Sequence, residues 1–334
     1  MTAPLVVLDA DVLGRRRTGD ETYVDALLRA LPRVAPDFRY AALTRRPDLV
    51  PEGVDAVHVP ARTQELRMAW MVPRALRRLR PALAHFLHVL PPGCRCAAVV
   101  KIPDLSWQRD ATVMNIHDRV VFRTLVPRAA RAAGRVVTVS ERSKRDLVEA
   151  YALPPDKIVV TPLGVDAAFR PGDGHDSFLL YVGAVEPRKQ PLVAADAAKA
   201  LGRTLVVAGP AKDRALAAEL ERRGAQLRGY VAKEELVRLY QQAACVVLPS
   251  RHEGFGLPLV EAMACGTPVV AATDEAMREV AGDAAVFGAD VAAGVRRALA
   301  ERERLVAAGL ERVKRFTWDE TARLTAEAYR EAIA

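Results

Sequence analysis

One stretch, residues 245–270, constrains the fold more than any other part of the chain. The apolar run Cys245–Leu248 has the length of a strand and stops at Pro249, and a polar, glycine-rich loop follows. Pro258 stands where a helix begins, because its fixed φ suits a first turn and its missing N–H is not needed there. Gly266 is placed to end that helix in a left-handed conformation, and Pro268–Ala272 reads as the next strand. The result is a βαβ unit with a very short helix. Further strand-like runs at Leu5–Leu8, Tyr40–Thr44, Ala56–Pro60, Leu83–Leu87, Ala97–Ile102, Arg135–Ser140, Lys157–Val165, Phe178–Val185 and Thr204–Gly209 alternate with helical patterns. That alternation predicts parallel sheets with helices on both faces. Asp274–Val280 and Gly282–Phe287 fit the end of the last sheet.

The loop in this unit carries chemistry. Gly254 and Gly256 let the backbone approach a ligand closely, and the N-terminal end of the helix favours phosphate or a developing anion. Glu261, about one turn into the helix, can accept hydrogen bonds from sugar or ribose hydroxyls, while Glu253 faces the same place from the loop. Two glutamates eight positions apart also occur in ordinary turns with a surface carboxylate and structural glycines. The wider string EGFGLPLVEAMACGTPVV settles the choice: it closely resembles the donor-site signature of glycosyltransferase family 4. Those enzymes are retaining, have the GT-B fold and use nucleotide sugars. The resemblance implies that Glu261 holds the ribose hydroxyls, that Glu253 lies beside the transferred sugar, and that the backbone of Gly254, Phe255, Gly256 and Leu257 faces sugar and phosphate.

The same resemblance extends along the chain. Arg15-Arg16-Arg17-Thr18-Gly19 precedes a helical pattern at Val24, Leu27, Leu28 and Leu31, and Gly19 matches a family loop that touches the donor phosphates. Without the resemblance, the arginines read as a solvated loop. Glu186-Pro187-Arg188-Lys189 follows a strand that runs through Gly183, and the family's similar Pro-Arg-Lys contacts the donor diphosphate. A guanidinium fork and an ammonium point charge suit such a group. Gly229-Tyr230-Val231 resembles the loop whose backbone receives the nucleobase. Family members commonly carry His-Asp-Leu where this chain has Pro103-Asp104-Leu105, the His pointing at the donor sugar near its 6-hydroxyl. Two readings of Pro103 stand side by side: a donor without a 6-hydroxyl, such as a 6-deoxyhexose or pentose, or a replacement of the lost His by His117 or water. Asp9-Ala10-Asp11 looks like the metal motif of the other major glycosyltransferase fold, but it stands too near the start of the chain and is read as shaping a loop.

Composition bounds the remainder. The 334 residues suit two domains of about 150 residues each. No apolar run approaches a membrane span, and the start lacks a signal peptide's basic and cleavage regions. Cys94, Cys96, Cys245 and Cys265 show no disulfide spacing, which reads as a reduced, cytosolic protein. A zinc site at Cys94-x-Cys96 with His85 and His88 lacks a second cysteine pair. Residues 1–165 carry 26 Lys and Arg against 17 Asp and Glu, a net of +9, and the remainder carries 23 against 24, a net of −1. An excess confined to one half speaks of partners, so an anionic acceptor, a membrane surface and a plain solvated face all stay open. Gln64–Arg80, with Leu66, Trp70 and Met71 among arginines and Pro73 as an interruption, is either a basic amphipathic membrane helix or an ordinary surface helix.

The expectation is therefore an α/β, GT-B glycosyltransferase of two doubly wound Rossmann-like domains facing across a cleft. Residues 1–168 form the acceptor side, 169–315 the donor side, and 316–334 a helix crossing back to the first domain, with Pro171–Ser177 as linker. The co-substrate is a nucleoside-diphosphate sugar and the acceptor an unidentified hydroxyl. No metal, cofactor, nucleic acid or transmembrane segment is expected. Arg188, Lys189 and Glu253 are the catalytic candidates, with Asp104, Pro103 and His117 on the sugar or acceptor side. Two rival functions are a non-catalytic nucleotide-sugar-binding subunit and a GT-B nucleotide-sugar epimerase.

Overall fold

The computed structural model describes residues 3–15, 18–109, 116–172 and 178–334. Arg16 and Arg17 of the arginine triplet and residues 173–177 of the expected linker lie outside them. The described residues of Met1–Leu105, Ile116–Gly164 and Trp318–Ala334 form one compact unit, and those of Ser106–Asn115 and Val165–Thr317 a second.

The first unit is built on seven strands: β1 Leu5–Asp9, β2 Arg39–Thr44, β3 Asp55–His58, β4 Leu83–Leu87, β5 Ala97–Lys101, β6 Arg135–Thr138 and β7 Ile158–Val160. Every pairing is parallel, in the order β3-β2-β1-β4-β5-β6-β7. Strands buried on both faces read as continuous apolar runs, and Val6, Val7, Leu83, Phe86, Val99 and Val136 are fully buried. Lys157–Val165 is less strand than expected. Pairing ends near Thr161, whose N–H reaches Thr138 O at 2.7 Å, because Pro162 has no N–H to continue the ladder. The helix Trp318–Ile333 belongs to this unit. Its Tyr329 hydroxyl lies 2.6 Å from His85 Nδ1, and Thr321 donates to Pro162 O at 2.6 Å.

The second unit has six parallel strands: β8 Leu179–Val182, β9 Leu205–Ala208, β10 Gln226–Gly229, β11 Cys245–Leu248, β12 Val269–Ala271 and β13 Val286–Phe287. Their order is β10-β9-β8-β11-β12-β13. The stretch Asp274–Val280 is not sheet. Asp274 accepts the Met277 N–H at 3.1 Å and starts the helix Glu275–Ala281, the role that a short acidic side chain takes at a helix N-terminus.

The segment expected as one interrupted helix is continuous but changes form, with α-helix Gln64–Leu66, a π turn Arg67–Met71 and α-helix Val72–Leu79. Pro73 causes no break: the backbone stays helical through Met71 and Val72, and the π turn, in which the Val72 N–H donates to Arg67 O, lies directly before the proline. Arg67 is fully buried, with a nitrogen 2.6 Å from Asp9 Oδ1 and another 3.3 Å from Asp11 Oδ1. Asp11 also holds Arg45 and Arg15, at 2.8 and 2.6 Å. Guanidinium groups thus hold this Asp-x-Asp, which anchors the loop after β1.

Candidate active site

In an open parallel sheet, ligands bind outside the carboxyl ends of the strands, where the strand order reverses. In the second unit that point lies between β8 and β11. The loop leaving β8 carries Arg188 and Lys189, and the loop leaving β11 carries Glu253. Lys189 Nζ donates to Glu253 Oε1 at 3.0 Å, and Arg188 Nη1 lies 3.6 Å from the same oxygen. Arg188 is buried. Its Nη2 donates to Glu186 Oε1 at 2.8 Å and its Nη1 to the carbonyl of His252. Lys212 meets the other Glu186 oxygen at 3.0 Å. Burial would raise the Glu253 carboxyl, but Lys189 and Arg188 override it and hold the group below its ordinary range. The sequence-predicted trio of Arg188, Lys189 and Glu253 is therefore one cluster.

Glycine makes room for it. A Cβ on Gly183 (φ +150°) would press on the Lys189 stem at 3.2 Å, and one on Gly209 would stand 2.0 Å from Gly183 O. Gly209 N–H also donates to Gly229 O at 2.7 Å, which ties together the ends of β8, β9 and β10. Tyr230 and Val231 follow Gly229 at this edge, with Tyr230 exposed.

The helix Leu257–Ala264 starts at Gly256, in the left-handed region at φ +88°. The Phe255 ring is buried edge-on against Phe316, 5.5 Å between centroids, so this loop offers a ligand its backbone rather than that ring. Gly254 is buried, while Leu257 is half-buried at the helix start. Asp274 braces the loop by accepting the Glu253 N–H at 3.4 Å. Glu261 is buried and its Oε2 accepts the Tyr240 hydroxyl at 2.8 Å. Burial pushes its carboxyl up to about 7, against the hydrogen bond from Tyr240. Two carboxyls of one βαβ unit are thus pushed in opposite directions, Glu253 by cations and Glu261 by burial.

The remaining predicted residues lie in the first unit. Gly19 is exposed in the first turn of the helix Thr18–Val34. Pro103 and Asp104 are half-buried after β5, and Thr138 Oγ1 donates to Pro103 O at 3.3 Å. His117 is exposed on the helix Ile116–Ala132. The order reversal here lies between β1 and β4, and beside it sits a cluster that sequence reasoning missed. His88 Nε2 lies 3.3 Å from Asp20 Oδ2, and Lys101 Nζ lies 3.6 Å from Asp20 Oδ1 and 3.6 Å above the Tyr23 ring. Burial would raise the Asp20 carboxyl, yet His88 and Lys101 hold it well below its ordinary range. His88 also adopts φ +61°, a conformation that a non-glycine residue keeps only when its surroundings impose it. A lone lysine closing the apolar strand Ala97–Lys101 was the signal available in sequence.

Known proteins agree with this architecture. The family described as Glycosyl transferases group 1 matches residues 168–315, and the one described as Glycosyltransferase Family 4 matches residues 17–169. The O-antigen chain mannosyltransferase B of Escherichia coli is 29% identical over 328 residues, covering 87% of this chain and 83% of that protein. A D-inositol 3-phosphate glycosyltransferase of Acidothermus cellulolyticus is 34% identical over 243 residues, covering 61% of this chain and only 54% of the relative. Anabaena HepE, solved in complex with UDP and glucose, superposes with a TM-score of 0.73 at 16% identity over 98% of this chain and 99% of its own, a likeness of fold. Two all-parallel Rossmann-like sheets with the GT-B arrangement of strands, and two family matches that together take in residues 17–315, make this chain a member of glycosyltransferase family 4.

Proposed function

We propose that this glycosyltransferase moves a sugar from a nucleoside-diphosphate sugar to a hydroxyl acceptor, with the anomeric configuration retained. The observation that carries the reading is the convergence of Arg188, Lys189 and Glu253 at the β8/β11 reversal, beside the N-terminal end of the helix Leu257–Ala264. Two cations and a helix N-terminus suit a diphosphate better than a neutral group. In this reading Glu261 accepts the ribose hydroxyls and the backbone at Gly229, Tyr230 and Val231 receives the base. Gly183 leaves space for the phosphates. HepE, crystallised with UDP and glucose, lends support by its fold alone.

The chemistry follows from charge. The bond between the anomeric carbon and the β-phosphate oxygen breaks, and its electron pair leaves with the diphosphate. Arg188 and Lys189 offset the charge that builds there, an electrostatic contribution of the kind that dominates many enzymes. The acceptor oxygen bonds to the same face of the anomeric carbon, and its proton passes to the departing phosphate oxygen, so no protein base is required. Glu253, kept ionised by its two cations, orients the sugar. The acceptor side is assigned to the first unit, with Asp104 and the Asp20–His88 pair at its sheet edge. Pro103, where the family commonly carries His, points to a donor lacking a 6-hydroxyl.

Thermal shift with UDP, GDP, dTDP and ADP tests the reading, repeated on Glu261→Ala. A diphosphate at a hundredfold over its Kd adds about 2.7 kcal/mol to stability. One nucleotide should raise Tm, and Glu261→Ala should blunt that rise. The absence of any shift, together with no transfer from matched sugar nucleotides, would favour a non-catalytic scaffold. Equal turnover of a hexose and its 6-deoxy counterpart would remove the reading of Pro103.

A further inference from the structure

The four cysteines are free thiols of two kinds. Cys245 and Cys265 are buried in the second unit, where burial pushes both thiols up to about 12. Cys94 and Cys96 are half-buried in the first unit, on the segment that joins β4 to β5. Their Sγ atoms lie 3.6 Å apart, one thiol donating to the other.

The local sequence brings the pair together. Gly93 turns the segment at φ +68°, directly after Pro91 and Pro92. Past the turn Cys94 is half-buried, Arg95 exposed and Cys96 half-buried. That is the alternation of a strand, where side chains two apart share a face, and β5 begins at the next residue, Ala97. Two steps of chain span at most about 7 Å between Cα atoms, within the reach of a disulfide. Ala97 pairs with Leu83 and Lys101 with Leu87, so the thiols stand at the opposite end of the sheet from Lys101 and the Asp20–His88 pair. Among the described residues no three His, Cys, Asp or Glu side chains are grouped to hold a metal ion, so the two thiols lack the further ligands that a zinc site takes.

We propose that Cys94 and Cys96 are a redox-active pair, converted reversibly to a disulfide by exchange with a low-molecular-weight disulfide. The Cys94 thiolate attacks one sulfur of that reagent, forming a mixed disulfide and releasing one thiolate. Cys96 then loses its proton to solvent and attacks the Cys94 sulfur, forming the Cys94–Cys96 bond and releasing the second thiolate. Two protein thiols are oxidised and one disulfide is reduced to two thiols, so electrons balance. Contact between the thiols sets this order. The Cys96 thiol, donating to Cys94, holds the Cys94 thiol down to about 7 against its burial, and the same contact pushes Cys96 up. The thiolate is the nucleophile. Once Cys94 carries the mixed disulfide its charge is gone and no longer opposes ionisation of Cys96. This inference does not rest on the transfer chemistry proposed above.

The test incubates the full chain with oxidised glutathione at pH 7, quenches it in acid, and unfolds it with iodoacetamide to block every free thiol. Reduction and labelling with N-ethylmaleimide then mark the cysteines that were oxidised. Trypsin cuts after Arg95, so Cys94 and Cys96 are read on separate peptides. Both should carry the second label in equal amounts, and Cys245 and Cys265 only the first. The intact chain should lose the mass of two hydrogens and retain no glutathione, and dithiothreitol should restore it. Cys96→Ser should instead accumulate glutathione on Cys94. Cys94→Ser should react about fivefold more slowly, since a lone Cys96 has a smaller thiolate fraction that its greater nucleophilicity only partly offsets. Both variants should keep the Tm of the parent and its response to nucleotide. No reaction, a stable glutathione adduct on the parent chain, equal oxidation of Cys245 and Cys265, or a disulfide between two chains would each overturn the proposal.

Discussion

The two sheets reverse their strand order in the same way, β1 beside β4 and β8 beside β11, yet the two reversals carry different charge. In the second unit, Arg188 and Lys189 share Glu253, and Glu186 and Lys212 extend the network outward. In the first unit, Lys101 is buried against the face of Tyr23 and paired with Asp20, so the group left toward the sheet edge is the half-buried imidazole of His88. Topology gives both units a place for a ligand; the side chains decide which ligand. An edge with two cations on glycine-lined loops suits a diphosphate. There Arg188, Lys189 and Lys212 outnumber Glu186 and Glu253 by one charge, whereas at the first edge Asp20 balances Lys101, which suits a hydroxyl-bearing group.

The strongest way to break this contrast is to remove a cation from the second unit. Arg188→Ala leaves Glu186 buried with only Lys212, and breaking a buried pair costs about 3–5 kcal/mol. Adding Glu186→Gln should recover part of that loss in denaturant unfolding; no recovery would mean that the pair is not what holds the loop. Lys189→Met keeps the stem beside Gly183 and removes only the charge. It should lower the turnover of a sugar nucleotide by about 10²–10³-fold, the usual effect of losing one donor to a developing anion. Unchanged turnover would take Lys189 out of the chemistry.

Much of the second-unit site was legible because its signal is contiguous. The string from Glu253 to Val270 and the adjacent Arg188-Lys189 need no long-range contact to be noticed. The first-unit cluster was hidden because the topology assembles it: Asp20 and His88 are 68 residues apart and meet only because β4 inserts beside β1. The pairing of Tyr240 with Glu261 was hidden for the same reason. The Asp274 cap was a different kind of miss. An aspartate directly before Glu275 is a local helix-start signal, and the apolar residues after it were read as sheet instead. Strand positions were legible from apolar runs, but their ends were set by Pro162 and by loop hydrogen bonds that such runs do not encode.

Glu261 sharpens the comparison within the second unit. Its carboxyl is raised to about 7 by burial, whereas an unfolded glutamate titrates near 4.5. Between those values the folded protein binds the proton more tightly than the unfolded one does. Stability therefore falls as pH rises through this window, and the loss is complete above the folded value. Full ionisation costs on the order of 3 kcal/mol at 1.36 kcal/mol per unit. Glu261→Gln removes that term, so without nucleotide its Tm should gain on the parent between pH 5 and pH 8. Its response to nucleotide should weaken, since a neutral amide is the poorer acceptor. A constant Tm difference across that range would mean that Glu261 ionises freely in the folded state.

The smallest expected effect belongs to the first unit. His88 sits at φ +61°, and asparagine tolerates that region better than most residues. His88→Asn therefore keeps the backbone while removing the imidazole that meets Asp20. If the first edge orients the acceptor, this variant should raise the acceptor KM about tenfold, roughly 1.4 kcal/mol, with the Tm response to nucleotide and the hydrolysis of donor in water both unchanged. A variant limited to structural damage would lower Tm and depress both reactions together. The result that would collapse the contrast is a lost nucleotide response with acceptor KM unmoved. The Asp20–His88 pair would then take no part in orienting the acceptor, and the difference in charge between the two edges would have no counterpart in function.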